Sequence, residues 1–226
     1  MNLGQHFRTF LRGLPLFAWW LICLFGSAGH LTWKRGWICT AFYLGGMHMS
    51  RAVLERLNPR VVEERQKAIR KDTKSFDKIF LRLILALTAV QPILAGLDVV
   101  RFAWAPLPFW TLYLGICLFS ISATLITWVL AKNPHAESSV RIQNDHTVVA
   151  SGPYRFVRHP MYGGLILLHA SVALMLGSTW TLCLAALLAL LFLWRTALED
   201  QTLRRELPGY ERYTLVTRYR LMPGIW

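Results

Sequence analysis

SGPYRFVRHPMYGG, residues 151–164, stands directly before an almost wholly apolar run, residues 165–194. That run is too long for one untilted membrane crossing, which needs about 20 apolar residues. Gly177 and Ser178 interrupt it near the middle, and such a pair is typical of a turn. The pattern therefore predicts two antiparallel membrane helices joined by a tight turn, with polar chemistry held at their open end.

Pro160 suits the first turn of the entering helix, where its missing N–H removes no helical hydrogen bond. The returning helix ends in Arg195, Glu199 and Asp200. Because the two helices run in opposite directions, these side chains should come back beside the polar stretch. The sequence thus predicts a site built from residues about forty positions apart.

Composition places the whole chain in the membrane class. Of its 226 residues, 54% are hydrophobic, 16% are charged and ten are Trp, outside the usual range of a soluble domain. We predict an all-α, polytopic transmembrane helix bundle with about six spans. Because the second span is short, five spans plus a shallow segment remains an alternative. The candidate spans are 14–28, 37–49, 79–100, 108–131, 161–176 and 179–198.

No internal repeat or low-complexity linker divides the chain, so we predict a single membrane domain, 1–226. Its first part, 1–131, would hold the N-terminal spans and an amphipathic loop helix. Its second part, 132–226, would hold the cofactor loop, the helix hairpin and the C-terminal tail.

The net charge of +13 follows the predicted topology. With six spans, Lys34, Arg35 and Arg101 fall on one side of the membrane and the other basic residues on the opposite side, which is the positive-inside pattern. Both termini and the site should then be cytoplasmic. Headgroup attraction and topology explain the basic loops without base-reading aromatics, so no nucleic-acid partner is expected.

The loop between the second and third spans predicts an amphipathic helix. Asn58 and Pro59 form a plausible cap and first turn, and Val62, Ile69 and Phe76 follow at helical spacing among charged residues. Such a helix would lie on the membrane surface. Its role is either an interfacial anchor or a lid over the site.

Residues 143–154 form an irregular polar segment whose backbone and side chains could bind a polar ligand. Arg158 and His159 come next, at the start of a predicted helix. Free N–H groups and the positive end of the helix dipole favour an anion there. A carboxylate or a phosphate would fit.

Arg195 and Glu199 are spaced i, i+4 and share one helix face. Arg195 could bind an acidic group and Glu199 an amine or a ribose hydroxyl. The site would then bind a ligand with both signs of charge. Taken singly, these residues could also be ordinary flanking charges, a helix cap and a helix salt bridge. No metal is expected, because His135, His146 and His159 lack the short spacing of a zinc site.

The second half of the chain resembles the isoprenylcysteine carboxyl methyltransferase family, which is also similar to phospholipid methyltransferases in this region. The resemblance covers roughly the last ninety residues. Its motifs are HTVV at 146–149, SG and Tyr at 151–154, RHPMYGG at 158–164, Arg195 with Glu199, PGYERY at 208–213 and RLMPG at 220–224. Where the family commonly shows Glu-Glu, this chain has Glu199 and Asp200.

The resemblance implies a multi-span enzyme that binds S-adenosylmethionine at the cytosolic face. Arg195 and Glu199 would be the catalytic residues, with Arg195 facing the methyl acceptor. The acceptor would be lipophilic or isoprenoid-like, a small molecule or lipid entering from the bilayer, and carboxylate is the favoured chemistry. The implied cofactor-binding residues are Gln143, His146, Thr147, Val148, Val149, Gly152, Tyr154, Arg158, His159, Pro160, Met161, Tyr162 and Glu199.

Two other functions compete with methyl transfer. The motif RHPxY also occurs in membrane sterol reductases, so an NADPH-dependent reductase is one alternative, and a transporter or scaffold is the other. The pairing of Arg195 with Glu199 and the lack of a glycine-rich phosphate fingerprint argue against the reductase. Clustering of ionisable residues at one membrane face argues against a transport path. The sequence leaves the acceptor and the oligomeric state open.

Overall fold

The computed structural model describes the backbone of residues 3–65, 73–140 and 146–226, and the side chains of these ranges except 3–14 and 16. About 75% of the described residues are helical, which confirms the predicted all-α bundle. The helices are α1 Leu3–Ala28, α2 Lys34–Leu57, α3 Pro59–Arg65, α4 Ser75–Gly96, α5 Thr111–Lys132, α6 Pro160–Leu176, α7 Thr179–Glu206 and α8 Tyr210–Val216. A π-helical turn, Leu97–Arg101, continues α4.

Every predicted span overlaps a helix of the bundle, although residues 108–110 precede α5 and residues 97–100 lie in the π-helical turn after α4. Among the described residues, three helices are long and apolar enough to cross a membrane: Ser75–Arg101, Thr111–Lys132 and Thr179–Glu206. Phe17–Ala28 and Pro160–Leu176 are shorter apolar helices. These helices agree with a membrane-embedded bundle, while the exact number of crossings stays a prediction that depends on α2.

The predicted hairpin is confirmed in its details. Pro160 is the first residue of α6, and Gly177 ends that helix with a left-handed φ of 80°. Ser178 caps α7, and its side-chain oxygen accepts the backbone N–H of Thr181 at 3.0 Å. A Cβ at Gly177 would lie 2.5 Å from the Arg35 guanidinium carbon, so the turn requires glycine for space as well as for conformation.

Arg35 joins three segments at the turn end of this hairpin. Its Nε donates to the Met175 carbonyl at 2.9 Å, and its Nη2 donates to the Thr111 hydroxyl at 2.8 Å. Its Nη1 donates to the Leu107 carbonyl at 3.3 Å. One buried guanidinium thereby ties α2 to the end of α6 and to the start of α5, at the end of the bundle opposite the predicted site.

The loop helix differs from its prediction. Asn58 does cap α3, accepting the Val61 N–H at 3.4 Å, and its Nδ2 donates to the Leu130 carbonyl at 2.8 Å. Ile69 lies outside the described residues. Phe76 belongs to α4, because extended backbone at Lys74 separates that helix from the preceding loop. The prediction of one helix continuing to Phe76 is therefore wrong.

Removal of the Arg35 side chain should loosen the bundle at the turn end. We expect Arg35→Gln to lower the free energy of unfolding by about 2 kcal/mol or more, because several buried carbonyls lose a charged donor. Melting of the detergent-solubilised protein, followed by circular dichroism, measures the effect. Lys34→Gln, on the exposed neighbouring residue, is the control. Equal stability of both variants would show that the Arg35 contacts are energetically unimportant.

Candidate active site

A cavity opens where α6 begins and α7 ends, between the chain before α6 and the segment around α8. It measures about 780 Å³ including its open mouth. Polar and apolar side chains share its wall, as is common in small-molecule sites. The predicted residues that line it are His146, Thr147, Val148, Val149, Tyr154, Arg158, His159, Pro160, Met161, Tyr162, Arg195 and Glu199.

Two predicted residues do not belong to that described wall. Gln143 lies outside the described residues. Gly152 is not among the lining residues; its φ is 62°, and a Cβ there would lie 2.9 Å from Cγ of Lys132. The structure therefore explains this glycine by a tight turn against the end of α5.

Arg195, Glu199 and Tyr162 meet inside the cavity. The Arg195 Nε atom lies 3.9 Å from Glu199 Oε2, as their i, i+4 spacing predicts. The Tyr162 hydroxyl donates to the same carboxylate from the facing helix. The Arg195 guanidinium carbon lies 5.2 Å from the centre of the Tyr162 ring, within cation–π distance. The hairpin thus brings one cation, one anion and one phenol together.

Asp77 is the important partner that the sequence analysis missed. It is fully buried at the start of α4, and its Oδ1 lies 2.8 Å from Arg195 Nε. Its Oδ2 accepts Arg195 Nη2 at 3.2 Å and the Val140 N–H at 2.6 Å. Arg195 therefore lies between two carboxylates, Asp77 and Glu199, and carboxylates at this point favour a cationic ligand.

Arg158 is engaged by the protein itself. Its Nε donates to Asp200 Oδ1 at 2.8 Å, and its Nη1 donates to the carbonyls of Thr217 and Arg218 at 2.9 and 2.7 Å. Both partners of the ion pair are almost wholly buried. Asp200, whose role the sequence left open, is thus the counter-ion of Arg158.

The helix start also differs from the anion site that the sequence suggested. The Arg158 N–H donates to the Tyr219 carbonyl at 2.9 Å, and the His159 N–H donates to the Arg220 carbonyl at 2.8 Å. These amides are therefore not free, because the C-terminal tail supplies their acceptors. The expectation of free N–H groups for an anion is wrong at these two residues.

Asp200 gathers further side chains around the same point. Tyr210 donates to its Oδ1 at 3.0 Å, while Arg204 and Arg220 donate to its Oδ2 at 3.2 and 3.0 Å. His159 Nε2 lies 3.4 Å from Oδ1. We call these residues, together with Arg158, the Asp200 cluster. It joins the start of α6, the end of α7, α8 and the tail.

Tyrosines form another part of the polar wall of the cavity. Asn133 Nδ2 donates to the Tyr154 hydroxyl at 2.8 Å, and the Tyr213 hydroxyl donates to the Tyr154 carbonyl at 2.6 Å. Burial raises the pKa of Tyr213 to about 12 and raises the pKa of Tyr154 above its usual range, although the Asn133 hydrogen bond opposes that rise. Both phenols therefore stay protonated near neutral pH and act as hydrogen-bonding groups.

Several lining residues were absent from the predicted site, namely Asn133, His135, Ala136, Glu137, Ser139, Val140, Leu203, Leu207, Tyr210 and Tyr213. The two tyrosines stand in the PGYERY string, so that motif could have indicated them. The others carry no local signal. Within the described part of the chain, no group of three or more His, Cys, Asp and Glu side chains could hold a metal ion.

Comparison with known proteins finds a family match over part of the chain. Residues 110–208 match the family model described as phospholipid methyltransferase. The match runs from the residue before α5 to just after α7, and it confirms the resemblance to membrane methyltransferases over this region. It supports a membrane methyltransferase in general. No curated protein matches the chain.

Loss of the Asp200 carboxylate should release the tail from the site. Breaking a buried ion pair from one side costs about 3 to 5 kcal/mol, so we expect Asp200→Asn to expose the peptide bonds after Arg218 and Arg220 to trypsin. The rate of cleavage there, followed by mass spectrometry, measures this release. Glu206→Gln is the control, since Glu206 pairs with Lys74 near the surface. Unchanged cleavage in Asp200→Asn would contradict a role in holding the tail.

Proposed function

We propose that the protein is an integral membrane, S-adenosylmethionine-dependent methyltransferase whose acceptor is lipophilic and carries a carboxylate. The family match supports methyl transfer, and families of this type generally use S-adenosylmethionine. The observation that carries the proposal is the placement of Arg195 between two carboxylates and a tyrosine inside a cavity at one end of apolar helices. By the positive-inside pattern, this cavity faces the cytoplasm.

The residues of the cavity fit that cofactor chemically. The amino group of the cofactor's amino-acid part needs an anionic contact, which Glu199 can supply. A sulfonium benefits from nearby carboxylates and aromatic faces, which Asp77, Glu199 and Tyr162 provide. Apolar atoms for a nucleoside come from Val148, Val149, Met161 and Leu203, which also line the cavity.

The same charges argue against the reductase alternative. NADPH brings several phosphate charges, which need cations that are not already neutralised. Arg158 is bound to Asp200, and Arg195 is bound to Asp77. A site whose two buried arginines are both engaged by carboxylates is better matched to a cation than to a polyanion.

Bound S-adenosylmethionine would supply an electrophilic methyl group for an in-line displacement. The protein's part is then to orient the acceptor and to exclude water. Arg195 is the proposed acceptor-orienting residue, and Glu199, fixed by the Tyr162 hydroxyl, is the proposed cofactor-binding residue. A carboxylate acceptor needs no general base, whereas for a hydroxyl, thiol or amine acceptor the candidates are Glu199, His159 and Tyr162.

Calorimetry on detergent-purified protein tests the cofactor directly. We expect heat of binding for S-adenosylmethionine and for its demethylated product, with no dependence on added metal or on chelator. NADPH is the comparison ligand. Binding of NADPH, with no binding of S-adenosylmethionine or of its demethylated product, would place the protein in the reductase class.

Glu199→Gln should weaken binding of S-adenosylmethionine by about 1 to 3 kcal/mol, the range for a lost charge-assisted hydrogen bond. Calorimetry measures the dissociation constant. Glu206→Gln removes a carboxylate from the same helix outside the cavity and should leave the constant unchanged. If Glu199→Gln bound as tightly as wild type, Glu199 would be only a partner in the Arg195 ion pair.

Arg195 should act on transfer more than on cofactor affinity. We expect Arg195→Ala to leave S-adenosylmethionine affinity within about threefold but to lower methyl transfer to lipid extracts at least tenfold, a barrier increase above about 1.4 kcal/mol. Because that variant strands the buried Asp77, Arg195→Lys provides a second reading: it keeps the charge and loses the planar fork. Full activity in both variants, or loss of cofactor binding in both, would overturn the acceptor role.

A further inference from the structure

A second, larger opening lies between α2 and α5, away from the candidate active site. It measures about 1780 Å³ by the same measure that includes its open side. Its wall is mostly apolar, and Met49, Leu57 and Trp128 are among its exposed side chains. We call it the α2–α5 groove. None of its lining residues lines the active-site cavity.

Small residues open the groove, and two contacts fix its width. A Cβ at Gly46 would lie 2.9 Å from the Phe119 ring, so the helices approach closely there. The Thr127 hydroxyl donates to the Ser50 hydroxyl at 2.7 Å and thereby satisfies both polar groups. Gly45, in contrast, has nothing within 4 Å of its Cβ position. The floor at Gly45 is therefore open space that a hydrocarbon chain could fill.

The groove is long enough to hold a lipid chain. Ala41 and Leu57 mark the extent of the lining on α2, and a rise of 1.5 Å per residue places them about 24 Å apart. One leaflet contributes about 15 Å of hydrocarbon to the bilayer. An acyl chain from a single leaflet can therefore lie along the groove.

Lys132 gives the groove one polar end. It ends α5 and lines the groove, and nothing in the described part of the chain forms a hydrogen bond or ion pair with its ammonium group. Its stem packs against Gly152, whose Cβ position is 2.9 Å from the Lys132 Cγ atom. Arg51, the nearby cation on α2, already pairs with Glu55 at 2.8 Å. An exposed ammonium group at the end of an apolar groove favours an anion attached to a hydrocarbon chain.

We propose that the α2–α5 groove binds an acyl chain of an anionic bilayer phospholipid whose headgroup pairs with Lys132. Trp128, exposed beside Lys132, has the position of an interface aromatic. We propose this lipid as distinct from the methyl acceptor, because the groove and the candidate active-site cavity share no lining residue.

Native mass spectrometry of delipidated, detergent-purified protein tests the proposal with two probes of identical chains, palmitoyl-oleoyl phosphatidylglycerol and palmitoyl-oleoyl phosphatidylcholine. We expect wild type to bind the glycerol lipid at least fivefold more tightly than the choline lipid. Lys132→Gln should abolish this preference while both lipids still bind. Lys34→Gln, which removes an exposed cation at the opposite end of α2, should keep the preference.

Gly45→Phe fills the open floor and should weaken both lipids at least tenfold; Gly45→Leu is a smaller replacement with the same expected direction. Gly26→Phe is the control, since that helical glycine also has nothing within 4 Å of its Cβ position.

Unchanged lipid affinity in the Gly45 variants, or an equal loss in Gly26→Phe, would overturn the proposal. It would also fall if the Gly45 variants blocked methyl transfer to lipid extracts while phosphatidylglycerol binding persisted, since the groove would then hold the acceptor. Because the readout is lipid binding without a methyl donor, its failure is separate from failure of the methyltransferase assignment.

Discussion

The buried carboxylate of Asp200 is the constraint on which the architecture at the candidate-site end of the bundle depends. Burying a charge is costly unless other charges and hydrogen bonds compensate it, and here Arg158, Arg204, Arg220 and Tyr210 all point their donors at the same two oxygens. These partners come from different segments of the chain. Their shared acceptor therefore forces the hairpin, α8 and the tail into one arrangement, and the active-site cavity is the space left between them.

A second buried carboxylate, Asp77, joins separate segments beside the cavity. Asp77 fixes Arg195 and accepts the Val140 N–H, so it couples α4, α7 and the loop before α6. An arginine held in this way loses little further freedom when a ligand arrives, which favours precise orientation over strong attraction. The group as a whole joins two carboxylates to one arginine beside an aromatic ring.

At each end of the bundle, one buried charged side chain binds several groups of the opposite polarity. At the turn end, the guanidinium of Arg35 donates to several carbonyl oxygens. At the site end, one aspartate receives several cations. In an apolar bundle such contacts cannot be exchanged for water at low cost, so each fixes the helices around it. The α2–α5 groove, with Lys132 at one end, lies along the bundle between these two ends.

The sequence by itself determined the helical class, the hairpin with its turn at Gly177 and Ser178, and the meeting of Arg195 and Glu199 on one face. These features follow from apolar run length, turn chemistry and the helical repeat, all of which are local. It also indicated nearly half of the residues that line the described cavity through the motifs at 146–162. Tertiary structure alone decided that Asp77 pairs with Arg195, that Arg158 binds Asp200, and that the tail occupies the amides at the start of α6. Those contacts join residues far apart in the chain, and burial sets their strength. No local pattern encodes either property, because both exist only after the helices have packed.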